Sequence, residues 1–225
     1  MKIYAHRGYS AKFPEGTKRA YLEAVKAGAD GFECDVRLTR DNEIVCFHDR
    51  TTKRLAGVSR TVSRSTLVQI QELVDVITLG ELIDIAIEAK KDLLIETKHP
   101  VRTCGRIERA VVALLHSKKE EISRNGIEVV LMSFSYLAVT RMRKLYPKVA
   151  KVIKYKMSLR FNGAPNIAVS HELIEKIPKF NSYVRNRRVF LWTLNNNKDF
   201  AKAILLTVDG VITDEVESAK KELRI

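Results

Sequence analysis

Short apolar runs rich in β-branched residues recur along this chain, and stretches of helical periodicity lie between them. The runs predict strands over Lys2–His6, Gly31–Val36, Ile44–His48, Leu93–Lys98, Glu128–Phe134, Val149–Tyr155, Asn166–Ser170, Val189–Thr193 and Val208–Thr213. Helices are predicted between them. One over Thr17–Ala27 stops at Gly28, and another opens at Thr78-Leu79-Gly80-Glu81, which has capping-box spacing. Arg106–Lys118 sets Ile107, Ala110, Val111, Leu114 and Leu115 on one face, and Tyr136–Leu145, His171–Val184, Asp199–Leu206 and Glu215–Leu223 complete the helical set.

Strand and helix alternating along the whole chain predict an α/β protein with a parallel sheet inside a helical layer. The 225 residues suit eight β/α units, a (β/α)8 TIM barrel, and no dinucleotide fingerprint G-x-G-x-x-G argues for an open doubly wound sheet. No linker or shift of composition divides the chain, so residues 1–225 are expected to form a single domain. One segment, at about 50–77, breaks the alternation. It is polar and carries Arg50, Lys53, Arg54, Arg60 and Arg64, and it is expected to be a short excursion after the second strand region that caps the barrel mouth.

Composition narrows the setting. Hydrophobic residues make up 45% and charged residues 30%, as in an ordinary globular chain, and no run is long enough to cross a bilayer. The start has no apolar signal core, so a cytoplasmic location is expected. Cys34, Cys46 and Cys104 fall in no paired spacing, which suggests neither a disulfide framework nor a zinc site. The formal charge is +13, and from Val129 to His171 eight basic residues occur without an acidic one. Such a field favours anionic ligands, whether phosphate esters, nucleic acid or an acidic lipid surface. Aromatic residues are sparse within it, so nucleic acid is not expected as a partner, whereas peripheral contact with an anionic membrane is compatible with it.

The ends of the predicted strands carry the chemistry. His6-Arg7 follows the first, Glu33-Cys34-Asp35 lies in the second, His48-Asp49 follows the third and Glu96-Thr97-Lys98 ends the fourth. Strand residues two apart share a face, so Glu33 pairs with Asp35 and Glu96 with Lys98. Three carboxylates converging from two strands are costly to bury alone and favourable around a hard divalent cation, which makes Glu33, Asp35 and Glu96 candidate metal ligands. Ion pairing with Arg7 and Lys98 is the alternative for them. His6 and His48 are able to exchange protons near neutral pH, while Arg7 and Lys98 would offset charge on non-bridging phosphate oxygens.

His6-Arg7-Gly8, Pro14-Glu15 before a helix, Glu33-x-Asp35, His48-Asp49 with Thr51-Thr52, Glu96-x-Lys98, Trp192-Thr193 and the run Asp209 to Asp214 together resemble the glycerophosphodiester phosphodiesterase family, within the PI-PLC-like phosphodiesterase superfamily. The resemblance implies a (β/α)8 barrel that hydrolyses small-molecule glycerophosphodiesters to an alcohol and glycerol 3-phosphate with one divalent cation, Ca2+ or Mg2+, with Mn2+ also suitable. His6 and His48 then look like the acid–base pair, Glu33, Asp35 and Glu96 the metal ligands, and Arg7 and Lys98 the phosphate-binding cations. Trp192 is expected either to flank the substrate or to be a core aromatic. Gly16 stands where the family usually has Asn, which removes a side-chain hydrogen bond near His6.

The other readings are a lysophospholipase D-like or sphingomyelinase D-like enzyme acting on membrane head groups, and a non-catalytic anion-binding barrel.

Overall fold

The predicted alternation closes on itself. In the computed structural model, which describes residues 1–99, 105–159, 164–177, 180, 184–206 and 208–224, β1 (Lys2–His6) pairs in parallel with both β2 (Gly31–Leu38) and β9 (Gly210–Thr213). The ring continues through β8 (Arg188–Trp192), β7 (Asn166–Ser170), β6 (Val149–Ile153), β5 (Val129–Ser133) and β4 (Asp92–Thr97) back to β2. The result is a closed parallel barrel of eight strands, while β3 (Ile44–Cys46) adds to β2 antiparallel, outside the ring.

Strand parity divides the core in two. Tyr4, Leu94, Val130, Met132, Ala150, Val152, Ala168, Phe190 and Ile212 fill the barrel interior, whereas the larger cluster lies between strands and helices. Tyr4 forms the floor, edge-on to Phe190 with ring centroids 5.6 Å apart. It fits because β2 and β9 both begin with glycine: a Cβ at Gly31 would lie 2.7 Å from the Tyr4 ring, and one at Gly210 2.8 Å from it. Carbon packs the lower barrel, so the polar residues one step up each strand stand at the carboxyl rim.

Helix ends follow the sequence signals. Thr17 accepts from Ala20 N at 3.1 Å to start α1 (Lys18–Lys26). Thr78 and Glu81 form the expected capping box ahead of the later helix Leu79–Ala89. The third strand is shorter than predicted and ends at Cys46; Phe47 N–H still donates to Asp35 O of β2 at 2.8 Å, and His48 after it faces the rim cavity.

The predicted excursion contains two short helices, α2 (Lys53–Ala56) and α3 (Leu67–Gln71), joined by a 3-10 turn at Val62–Arg64. Val62 and Ile70 pack with Val45, Phe47 and Val76 in a small core of their own against β3. The predicted helix over His171–Val184 is interrupted: His171–Ile174 is helical, Glu175, Lys176 and Ile177 form a turn, Phe180 and Val184 are helical again, and the rest of that range, like Cys104, lies outside the described residues. Among the described residues no helix is long and apolar enough to cross a membrane.

Candidate active site

Register decides which rim residues meet. His6 lies opposite Glu33 across β1 and β2, and Asp35 lies opposite Glu96 across β2 and β4, so the inward columns of three neighbouring strands end in adjoining side chains. Lys98 continues the column of Glu96, and Trp192 that of Phe190. All eight residues singled out in the sequence, His6, Arg7, Glu33, Asp35, His48, Glu96, Lys98 and Trp192, line one cavity of about 300 Å³ at the carboxyl end of the barrel. Phe134, Lys154 and Met132 close its far wall.

The turn after β1 aims Arg7 into this cavity. Arg7 and Gly8 both have positive φ, 57° and 85°, and a Cβ at Gly8 would lie 2.6 Å from that of Ala20, so only glycine follows Arg7 without displacing α1. The Arg7 guanidinium lies 2.7 Å from Asp35 Oδ2 and donates to Glu15 Oε1 at 3.0 Å. Lys98 Nζ bridges Asp35 Oδ1 at 3.1 Å and Glu96 Oε1 at 2.8 Å. The two cations expected to hold phosphate are therefore held themselves by the candidate metal carboxylates.

Burial and neighbouring charge drive these carboxylates apart. Burial, reinforced by Asp35, pushes Glu33 well above the usual carboxylate range and Glu96 up to about 7. Asp35 is equally buried, yet Lys98 and Arg7 outweigh that burial and hold it at about 2. Glu33 Oε2 is buried without a hydrogen-bond donor, and Asp35 Oδ2 meets Arg7 Nε outside hydrogen-bond geometry. Donor atoms of His6, Glu33 and Asp35 lie within 4.8 Å of one another. This donor set, rich in oxygen and short of positive charge, fits a hard divalent cation. Glu96 faces the same cavity but belongs to the Lys98 pair rather than to that group of donors.

Each histidine is pinned by an aspartate. His6 Nδ1 lies 2.7 Å from Asp214 Oδ1, and Asp214 in turn accepts from Ser10 Oγ at 2.7 Å and Asn195 Nδ2 at 2.6 Å. His48 Nδ1 lies 2.6 Å from Asp49 Oδ1. Asp49 accepts from Arg54 Nε, and the Arg54 guanidinium forks onto Glu15 at 2.8 and 2.7 Å. In both cases Nε2 is left for the cavity, and His6 Nε2 is 3.9 Å from Glu33 Oε2. Burial lowers His48 below the ordinary histidine value, so it is neutral at pH 7.

The sequence reading did not assign roles to Asp49, Asp214, Ser10, Asn195 or Arg54. Two of these had a signal: Asp49 directly follows His48, and Asp214 directly follows β9. The pairing of Ser10 and Asn195 with Asp214 depends on the ring closing and has no local signature. Glu15 links Arg7 to Arg54 and so ties the excursion to the rim. Arg54 and Leu55 are the excursion's points of approach, and among the described residues none from Asp49 to Ile77 lines the main cavity.

Trp192 faces the cavity with its Nε1 buried and unpartnered among the described residues, and its ring stands edge-on to Phe134 at 5.6 Å. Gly16 has φ 72°, a value that glycine and asparagine tolerate best, and its backbone N–H donates to Arg7 O at 2.9 Å. The basic run from Val129 to His171 is divided by the fold. Arg141 pairs with Glu108 and Lys148 with Glu128, Lys151 is buried on backbone carbonyls, and Lys154 and Lys156 stay exposed beside the cavity mouth.

Known proteins share this fold. The model of the glycerophosphoryl diester phosphodiesterase family matches residues 6–218. Probable glycerophosphodiester phosphodiesterase 1 of Mycobacterium tuberculosis is 34% identical over 88% of this chain and 83% of its own length. The crystal structure of glycerophosphodiester phosphodiesterase from Thermotoga maritima superposes with a TM-score of 0.79, at 28% identity and 96% coverage of both chains. A phosphodiesterase of Oleispira antarctica, solved with the product sn-glycerol-3-phosphate, shares the fold at a TM-score of 0.78 and 20% identity, covering 100% of this chain and 97% of its own.

Proposed function

This chain belongs to the glycerophosphoryl diester phosphodiesterase family, and from that premise we propose that it hydrolyses a small glycerophosphodiester to an alcohol and glycerol 3-phosphate by acid–base catalysis with His6 and His48, in the presence of a divalent cation. The observation that carries this reading is the convergence on one cavity of two histidines, each held by an aspartate at Nδ1, with three carboxylates and two cations.

Glu33 and Asp35, with Glu96 on the same wall, would hold the cation. Once bound, a divalent ion polarises a phosphoryl oxygen as a Lewis acid, and oxygen ligands of this kind suit Ca2+, Mg2+ or Mn2+. Arg7 and Lys98 supply further positive charge against the non-bridging oxygens. His48, neutral at pH 7, is suited to take the proton of the glycerol 2-hydroxyl, whose oxygen attacks phosphorus. His6 gives a proton to the departing alcohol oxygen. Water then opens the cyclic ester, with the two proton transfers reversed. Trp192 offers its free N–H and its ring edge to the glycerol portion.

The test is a panel of glycerophosphocholine, glycerophosphoethanolamine and a lysophospholipid, with each of the three metals and with chelator, on wild type and on His6→Ala and Glu33→Ala. Glycerol 3-phosphate formation that chelator abolishes, and that both variants lose, is the expected result. Full activity in either variant would refute the site. Rapid-quench sampling that finds no cyclic phosphate during turnover would remove the two-step route.

A further inference from the structure

Apolar side chains beside the mouth of the cavity are left exposed to solvent. On one side, the segments after β5 and β6 expose Tyr136 at 53%, Leu137 at 62%, Tyr155 at 67% and Met157 at 77%. The two strands are neighbours and run in parallel, so both segments emerge on the same rim, where Phe134 and Lys154 line the cavity. On the other side, the excursion exposes Leu55 at 39%, which shares a small cavity with His48, and, three residues on, Val58 at 53%. Scattered exposed apolar residues are ordinary, but a grouping of this size beside an opening marks an interaction surface.

Charge identifies the partner. Lys154 and Lys156 alternate with Tyr155 and Met157, Lys53 and Arg60 flank Leu55 and Val58, and all four cations are exposed and in no ion pair among the described residues. The sequence from Val129 to Met157, which holds Lys154 and Lys156, contains no carboxylate. Amphipathic residues with cations interleaved suit the boundary between head groups and acyl chains, where aromatic and aliphatic side chains enter and lysines pair with phosphate. A nucleic-acid surface would use the cations and the tyrosine faces, but it has no use for Met157, Leu137, Leu55 or Val58, which stack on nothing.

We infer that this rim docks the barrel, mouth first, on an anionic lipid bilayer, with Tyr155 and Met157 inserted and Lys154, Lys156, Lys53 and Arg60 on the lipid phosphates. Docking of this kind depends on the rim alone and does not depend on which ester is cleaved.

Sedimentation of the full chain with vesicles of phosphatidylglycerol and phosphatidylcholine, and with vesicles of phosphatidylcholine alone, tests this. Binding to the anionic vesicles that weakens with salt is expected, with little binding to the neutral ones. Tyr155→Ser with Met157→Ser should weaken partitioning at least tenfold, and Lys156→Glu should weaken it by about fivefold or more. Turnover of soluble glycerophosphocholine, if present in wild type, should be unchanged in these variants, so loss of docking and loss of chemistry are read separately. No vesicle binding by wild type, binding by both variants equal to that of wild type, or binding to single-stranded RNA in place of vesicles would each overturn the inference.

Discussion

His6 Nδ1 and Asp214 Oδ1 lie 2.7 Å apart although 208 residues separate them, and the contact exists because β1 and β9 close the barrel side by side. Ser10 and Asn195 fix the aspartate, so the imidazole has one orientation, with Nδ1–H on Asp214 and Nε2 turned to the cavity, where the second proton is given or taken. Hydrogen bonds from His6, Ser10 and Asn195 overcome the partial burial of Asp214 and hold its carboxyl at about 2, charged throughout the working range.

Asp214→Asn tests that arrangement. The amide can present its NH2 to Nδ1 and so favour the wrong tautomer, which in a comparable triad costs about 10⁴ in turnover. A fall in kcat of roughly 10²-fold or more is expected, with a thermal midpoint within a few degrees of wild type. A loss below threefold would show that the contact does not orient the reacting histidine.

Removing the charge of Glu33 separates the cost of burying it from its use. Burial raises Glu33 and brings Glu96 to about 7, so in the metal-free protein these groups bind protons more tightly folded than unfolded. Stability contributed by protonation is present below the unfolded carboxylate value, about 4.3, and is lost as pH rises toward 7. Metal-free wild type should therefore melt at a higher temperature at pH 5.5 than at pH 8. Glu33→Gln should flatten that slope and abolish the rise in melting temperature that a divalent cation gives wild type. Calorimetry of both proteins, with and without metal, reads both effects.

The opposite sign holds at the barrel floor. Glu128 accepts from Arg188 at 2.9 Å and from Lys148 at 2.8 Å, and these partners outweigh its partial burial to lower it to about 2. A depressed carboxylate stabilises the fold above its unfolded value, and this contribution is lost as pH falls from about 4 toward 2. Glu128→Gln should cost roughly 1–2 kcal/mol at pH 7, since solvent screens part of the network, and should leave activity intact. Urea melts at pH 7 and pH 3 should show the difference between the two proteins shrinking in acid.

Periodicity made the barrel legible, because each strand is a local run and parallel strands joined by helices have few ways to assemble. The same parity argument placed Glu33, Asp35, Glu96 and Lys98 on inward columns, and the register across β1, β2 and β4 is what makes them neighbours. Two features were out of reach. The excursion's helices hold together through long-range contacts such as Val45 with Ile70, which no local period encodes. The basic run looked continuous, yet Arg141 and Lys148 are bound by Glu108 and Glu128 from distant elements, which leaves only its exposed members free.

Gly16 stands where the resemblance leads one to expect asparagine, and its backbone explains what can replace it. The φ of 72° lies in the left-handed region, where a β-carbon is strained, and a Cβ there would stand 2.9 Å from Cys46 O, a backbone atom with little freedom to move. Gly16→Ala meets both penalties and should destabilise by about 1–3 kcal/mol in urea melts. Gly16→Asn meets the same contact, but asparagine adopts the left-handed region more readily, so it should cost about 1 kcal/mol less than alanine. The site is where the two should differ further. Gly16 borders the small cavity shared by Arg7, Glu15 and His48, so an asparagine amide there gains charged and polar partners that alanine lacks. Turnover of Gly16→Asn at or above wild type, despite lower stability, is the expected outcome. Equal loss of stability in the two variants would mean that the contact with Cys46 O, and not the backbone conformation, keeps position 16 as glycine.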